Sequence, residues 1–226
     1  MKKEKYIYIM VSATFTKVGK MVRFATKSTY SHASISFSAN MDKLYSFGRF
    51  YHCMPFIGGL VSETLNRFTL KSAKRVNIKI FKIPVTEEQF YAAYNRVQEI
   101  AADDEYAYNL VSAATFCVKH GVERYKTYVC SEFVSHILRI ARPDLASDKP
   151  DCKVQPDDFT VLLKDYEIYD GALASYDKFI DIENEEYFRK FSKFTQFMQT
   201  CGFIYRRYLH FVTDASGEEM RRNKLE

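Results

Sequence analysis

The chain has 226 residues, 47 % of them hydrophobic and 16 % aromatic, with 33 basic side chains against 28 acidic ones. That is enough apolar material for a packed core of one domain, which excludes a disordered or fibrous chain. The net charge of +5 is spread among acids and comes with no zinc-finger, RNA-recognition or helix-turn-helix pattern, so nucleic acid is not an expected partner.

The five cysteines, Cys53, Cys117, Cys130, Cys152 and Cys201, are odd in number and widely spaced. This argues against a disulfide framework or a structural zinc site and for a reducing compartment. The opening Met1-Lys2-Lys3-Glu4-Lys5 leads into a short apolar run that does not read as a secretion signal, and no stretch reaches the length of a membrane span. A cytoplasmic protein is expected, with no metal and no organic cofactor.

Lys5 to Ser12 is aromatic and β-branched and predicts a strand. Thr14 to Thr26 places Val18, Met21, Val22 and Ala25 at helical spacing. His32 to Phe37 and Lys43 to Phe47 are strands joined by a turn-rich link, a hairpin. The segment from Gly48 to Gly59 is irregular and supplies a candidate cleft wall or lid, followed by a short strand from Leu60 to Leu65. Val76 to Ile83 alternates and is a further strand, ended by Pro84.

Thr86-Glu87-Glu88-Gln89 is a capping box that opens a helix running to about Ala102. A Tyr-rich acidic loop from Asp103 to Asn109 precedes a helix from Leu110 to His120, on which Cys117 reads as core and His120 as a C-terminal cap. Asp144 to Asp158 reads as a loop, with a short helix starting near Asp157. Tyr166 to Tyr176 predicts a strand and turn that close the sheet. Asn184 to about His210 is helical and strongly aromatic, with a break expected at Gly202, and the charged residues from Asp214 to Glu226 are expected to fray. The tail can pack on the domain or face a partner or membrane.

The chemistry concentrates in two stretches. In Tyr128-Val129-Cys130-Ser131-Glu132-Phe133-Val134, the apolar Phe133, Val134, Ile137 and Leu138 share one helical face, and Cys130 falls at the helix start. Unpaired N–H groups and the positive dipole end there lower a thiol pKa, and the same N–H groups can hold an oxyanion. In Tyr30-Ser31-His32-Ala33-Ser34-Ile35, His32 stands at the start of a strand. A thiol and an imidazole so placed are the partners of nucleophilic acyl chemistry. The plain alternatives are a buried apolar Cys and a structural His.

The first stretch resembles the "CSELV" cysteine motif, and the second the "HVGI" strand, of the circularly permuted branch of the NlpC/P60 superfamily. These are papain-like thiol hydrolases related to lecithin:retinol acyltransferase-like enzymes. The order, His before Cys, is also that of the permuted branch, and the resemblance runs from about residue 6 to about residue 175. It implies an α+β fold, with an antiparallel sheet and the Cys helix packed on one face. It implies Cys130 as nucleophile, His32 as base and acid, and a polar third residue that orients the imidazole. Ser46 matches that third position, where the family often has Glu, and Glu63 is the reserve candidate. Implied substrates are small peptides, other amides or lipid esters. A papain-like binding module with little turnover is the alternative that the neutral Ser46 favours. The resemblance assigns residues 1–180 to the hydrolase domain and leaves residues 181–226 as a helical extension packed on it.

Overall fold

The computed structural model describes residues 4–14, 23–24, 27–70, 76–109, 112, 123–176 and 185–222. Most of the expected helices at 14–26 and 110–120, with Cys117 and His120, lie outside them. The architecture is mixed α+β. Its centre is an antiparallel six-stranded sheet formed by β1 (Lys5–Ser12), β2 (His32–Ser36), β3 (Leu44–Arg49), β4 (Gly58–Glu63), β5 (Asn77–Val85) and β8 (Glu167–Ala172). The spatial order is β4-β3-β2-β1-β5-β8, so β1 is central. β6 (Ala107–Tyr108) and β7 (Thr127–Tyr128) form a separate parallel pair. The helices are α1 (Leu65–Thr69), α2 (Glu87–Ala102), α3 (Cys130–Ala141), α4 (Asp158–Leu162) and α5 (Lys193–Arg222).

Alternation along β1 divides the core in two, because successive side chains point to opposite sides of a sheet. Ile7, Ile9 and Val11 join Ile35, Phe81 and Ile83 under α2 and α3, whose Val97, Ile100, Phe133, Val134 and Ile137 complete the larger cluster. Tyr8 and Met10 belong to the smaller cluster with Leu44, Ile78, Ile80 and Phe68 of α1. Each of these buried Phe, Ile or Leu side chains contributes about 1.5–3 kcal/mol relative to exposure. The capping box forms as the sequence predicts: Gln89 N–H donates to Thr86 Oγ1 at 3.1 Å, and Thr86 N–H donates to Gln89 Oε1 at 2.9 Å.

Three boundaries differ from expectation. β4 begins at Gly58 rather than Leu60, because Gly58 and Gly59 pair with Arg49 and Gly48. A Cβ on Gly58 would lie 2.4 Å from the Gly48 carbonyl oxygen, so only glycine permits this pairing. Gly202 does not break the last helix, which runs unbroken for 30 residues. Glycine inside a helix costs only about 1 kcal/mol relative to alanine, and nothing packs against this one to force an end. Asp214 to Arg222 continues the helix instead of fraying.

The C-terminal extension meets the domain first through its lead-in segment. Tyr187 is buried, its carbonyl accepts from His52 N–H at 2.8 Å, and Phe191 packs edge-on against Tyr51 at 4.9 Å. The 49–54 loop, the expected cleft wall, is thereby pinned to the extension. No helix among the described residues is long and apolar enough to cross a membrane.

Candidate active site

α3 begins at Cys130, with one residue, Val129, between it and the end of the two-residue strand β7. Val129 at the N-cap is extended, and its N–H donates to Glu132 Oε2 at 3.1 Å, so Glu132 folds back to close the helix start. Phe133, Val134, Ile137 and Leu138 anchor the helix in the core and fix Cys130 where the chain enters it. Cys130 is buried, and as the first helical residue its N–H has no intrahelical acceptor.

His32 opens β2 opposite Ser12 of β1. β3 pairs with β2 only at Ile35–Tyr45 and Ser36–Leu44. Toward His32 the two strands part. There Ser46 Oγ donates to the Ala33 carbonyl at 3.0 Å, while the Ala33 N–H is near enough to the Cys130 sulfur to lower its pKa. The loss of regular ladder bonding thus leaves a backbone donor for the thiolate.

The register of β4 on β3 sets Glu63 opposite Leu44, at the end of the strand. Its two carboxylate oxygens lie 2.8 and 2.9 Å from His32 Nε2, and Ser34 Oγ donates to Oε2 at 2.5 Å. Ser46 Oγ lies 3.1 Å from the same His32 nitrogen. Because its hydroxyl proton goes to Ala33, Ser46 can only accept from that ring. Both third-residue candidates therefore converge on His32, and Glu63 is the one that brings charge. With Nε2 occupied by Glu63 and Ser46, Nδ1 is the ring nitrogen left to face Cys130, whose charge raises the His32 pKa.

The electrostatics follow from this chain of contacts. Burial alone would lower the His32 pKa, but the Glu63 carboxylate and the Cys130 thiolate raise it to about 10. Burial alone would raise the Cys130 thiol, yet the His32 charge and hydrogen bond, with the Ala33 N–H, hold it below its ordinary value. Burial also raises Glu63, and His32, Arg67 and Ser34 more than reverse that. Buried side chains thus favour thiolate, imidazolium and carboxylate in a row.

Two further groups meet the row. Tyr108 of β6 is close enough to Cys130 to feel its charge. Burial first, and then that charge, keep its phenol firmly protonated. Arg67 of α1 is buried near Glu63, with its guanidinium 4.0 Å from the Tyr187 ring centroid and its Nη2 donating to the Arg49 carbonyl at 2.6 Å.

Sequence reasoning did not single out Ser34, Tyr108, Arg67 or Tyr187. Ser34 had a readable signal, since it stands two residues after His32 on a strand and shares its face. The other three arrive by tertiary packing alone. Among the described residues there is no cluster of three or more His, Cys, Asp or Glu side chains suited to a metal. A separate cavity of about 780 Å³ lies on the outer side of α3, lined by Glu132, His136, Arg139 and Asp151 among others.

No protein-family model matches the chain. Neither a curated protein nor a solved structure was found to match it.

Proposed function

We propose that the protein is a cysteine hydrolase or acyltransferase of amide or ester bonds, with the permuted papain-like NlpC/P60 arrangement that its two motifs resemble. The observation that carries the reading is the run Glu63–His32–Cys130, a carboxylate bonded through both oxygens to an imidazole whose charge acts on a buried thiol. The Cys130 thiolate attacks the carbonyl carbon and pushes its electrons onto the carbonyl oxygen. The Cys130 N–H, at the start of its helix, and the hydroxyl of Tyr108, close enough to feel the Cys130 charge, are the donors we assign to that oxyanion. His32 then gives its Nδ1 proton to the leaving amine or alcohol as the carbonyl re-forms, leaving a thioester on Cys130. His32 next takes a proton from water, or from an acceptor amine or alcohol, which attacks the thioester and restores the thiolate. Glu63 keeps Nδ1 directed at the sulfur and stabilises the imidazolium, with Ser46 as an additional acceptor. No metal or organic cofactor enters these steps.

The substrates proposed are small peptides, other amides or lipid esters. The cytoplasm is the compartment proposed, where thiols such as Cys130 stay reduced. The neutral Ser46 alone would favour a binding module, but the Glu63 charge supplies what Ser46 lacks. The test is a panel of activated aryl esters and aryl amides with intact-mass detection of the acyl-enzyme. A mass increment on Cys130 in wild type, absent in Cys130→Ala and slow in His32→Ala, is expected. No increment with any ester or amide would sink the reading.

A further inference from the structure

α5 is amphipathic in the reverse of the usual sense. The side facing the domain is mostly polar. Thr195, Gln196, Thr200 and Arg207 are half-buried there beside Phe203, and the Arg207 guanidinium donates to the Glu105 carbonyl. The opposite side carries Phe194, Phe197, Met198, Ile204, Tyr205 and Tyr208, between 52 and 74 % exposed, with the exposed Cys201 completing the spacing by threes and fours. A surface helix normally turns such a stripe inward, and a contiguous apolar patch of this extent marks an interaction surface.

Charge indicates what the stripe meets. Between Glu186 and Asp214 there is no acidic residue, while Arg189, Lys190, Lys193, Arg206 and Arg207 are all cationic. Adjacent helical residues are turned about 100° from one another. Lys193 just before Phe194 and Arg206 just after Tyr205 therefore stand on opposite flanks of the stripe, and both are exposed. Long cationic side chains beside an apolar face can keep their heads in the headgroup layer while their stems cover apolar surface. Phenylalanine and tyrosine suit the same depth, with the ring in the acyl boundary and the hydroxyl in water. A second copy of the helix fits less well, because stacking stripe on stripe would bring cationic flank against cationic flank with no acid between them.

We propose that the outer face of α5 lies in the surface of an anionic membrane, with Phe194, Phe197, Ile204 and Tyr208 in the acyl boundary and Lys193 and Arg206 on lipid phosphates. The helix docks in the plane of the surface and does not span it.

The test is flotation of the full chain with vesicles of phosphatidylcholine alone and of phosphatidylcholine mixed with phosphatidylserine. It reads no activity, so its outcome is independent of the catalytic proposal. Binding to the mixed vesicles only, weakened by salt, is expected. Arg206→Gln should weaken it about fivefold, as one surface cation does, and Phe197→Asp should abolish it with thermal unfolding unchanged, since Phe197 is exposed. Equal binding to both vesicle types, or to neither, overturns the proposal. A dimer by light scattering that Phe197→Asp dissociates, without vesicle binding, assigns the face to a second copy instead.

Discussion

His32 Nε2 lies within 2.8 and 2.9 Å of both carboxylate oxygens of Glu63. A contact to both oxygens fixes the ring plane as well as the ring position, so the other nitrogen has one direction in which to point. Glu63→Gln keeps the shape and removes the charge. In Ser–His–Asp triads, removing the carboxylate charge costs about 10⁴-fold in turnover, and a loss approaching that is expected here. Ser46→Ala should cost far less, because its hydroxyl only accepts from the ring. Turnover of the two variants on one activated ester, measured side by side, separates the residues. An equal loss would make Ser46 the working partner.

Cys130 is held below the ordinary thiol value and His32 is raised to about 10. Iodoacetamide should therefore label Cys130 rapidly well below pH 8.5, the ordinary value for a free thiol, and ahead of the exposed Cys201. In His32→Ala the sulfur loses its cation and keeps its burial, so its pKa rises and labelling at pH 6 should fall by at least tenfold. Peptide mass spectrometry of all the cysteines after short exposures checks this, with Cys201 as the internal standard. Cys130 labelling unchanged by the substitution would remove the ion pair.

The guanidinium of Arg67 is packed on the Tyr187 ring and faces Glu63. An arginine beside a carboxylate lowers its pKa by about 1–3 units. Arg67→Ala should therefore raise the Glu63 pKa and move the acid limb of Cys130 labelling upward by about one pH unit. Tyr187→Ala, which frees Arg67, should move it the same way by less. Unfolding would instead expose Cys130 as an ordinary thiol that labels like the exposed Cys201, so circular dichroism of the variant at each pH separates the two outcomes.

Tyr108→Phe tests the oxyanion role. The ring stays, the hydroxyl goes, and the thiolate pair is untouched. Loss of one oxyanion donor costs about 10²–10³-fold in kcat. The expectation is a fall of that order in acyl transfer with the Cys130 labelling profile unchanged. A shift of the labelling profile instead would assign Tyr108 to tuning the thiol.

Glu132 is buried at the start of α3, and burial raises its pKa to about 7, against the Val129 N–H, which lowers it. A carboxyl raised in the folded state binds its proton more tightly there than in the unfolded chain. Its favourable contribution is complete below pH 4.5 and is lost as pH rises through about 7. Glu132→Gln keeps an acceptor for Val129 N–H and removes the charge. The variant should gain on the wild type across that window, by about 3 kcal/mol above it. Chemical denaturation at pH 5 and pH 8 measures the difference, and a gain independent of pH would point to packing instead.

Much of the scaffold is legible in the chain because it is set by local pattern. Aromatic and β-branched composition marks β1, alternation marks β5, the Thr86–Gln89 box marks the start of α2, and the apolar face after Cys130 marks α3. The pair Cys130 and His32 is legible for the same reason, since each sits at the start of a patterned element. Glu63 is harder to rank. Its sequence neighbours show only a strand-end carboxylate, and the β3–β4 register is what turns it onto His32. Arg67 and Tyr187 are further removed, because their contact depends on where a distant segment comes back to the domain. The helix at Gly202 misleads for an energetic reason: a glycine signals a stop only where a following element needs one.

The place of β1 in the sheet also bears on how the chain is made. β1 leaves the ribosome before both strands that flank it, β2 on one side and β5 on the other. Until residue 85 has emerged, an apolar strand with Ile7, Ile9 and Val11 waits with one edge unpaired, and the α3 face that covers it comes later still. An uncovered edge of that kind is an invitation to intermolecular pairing. Slow synthesis between β2 and α3 should therefore cost yield through aggregation, whereas the same delay after α3 should not.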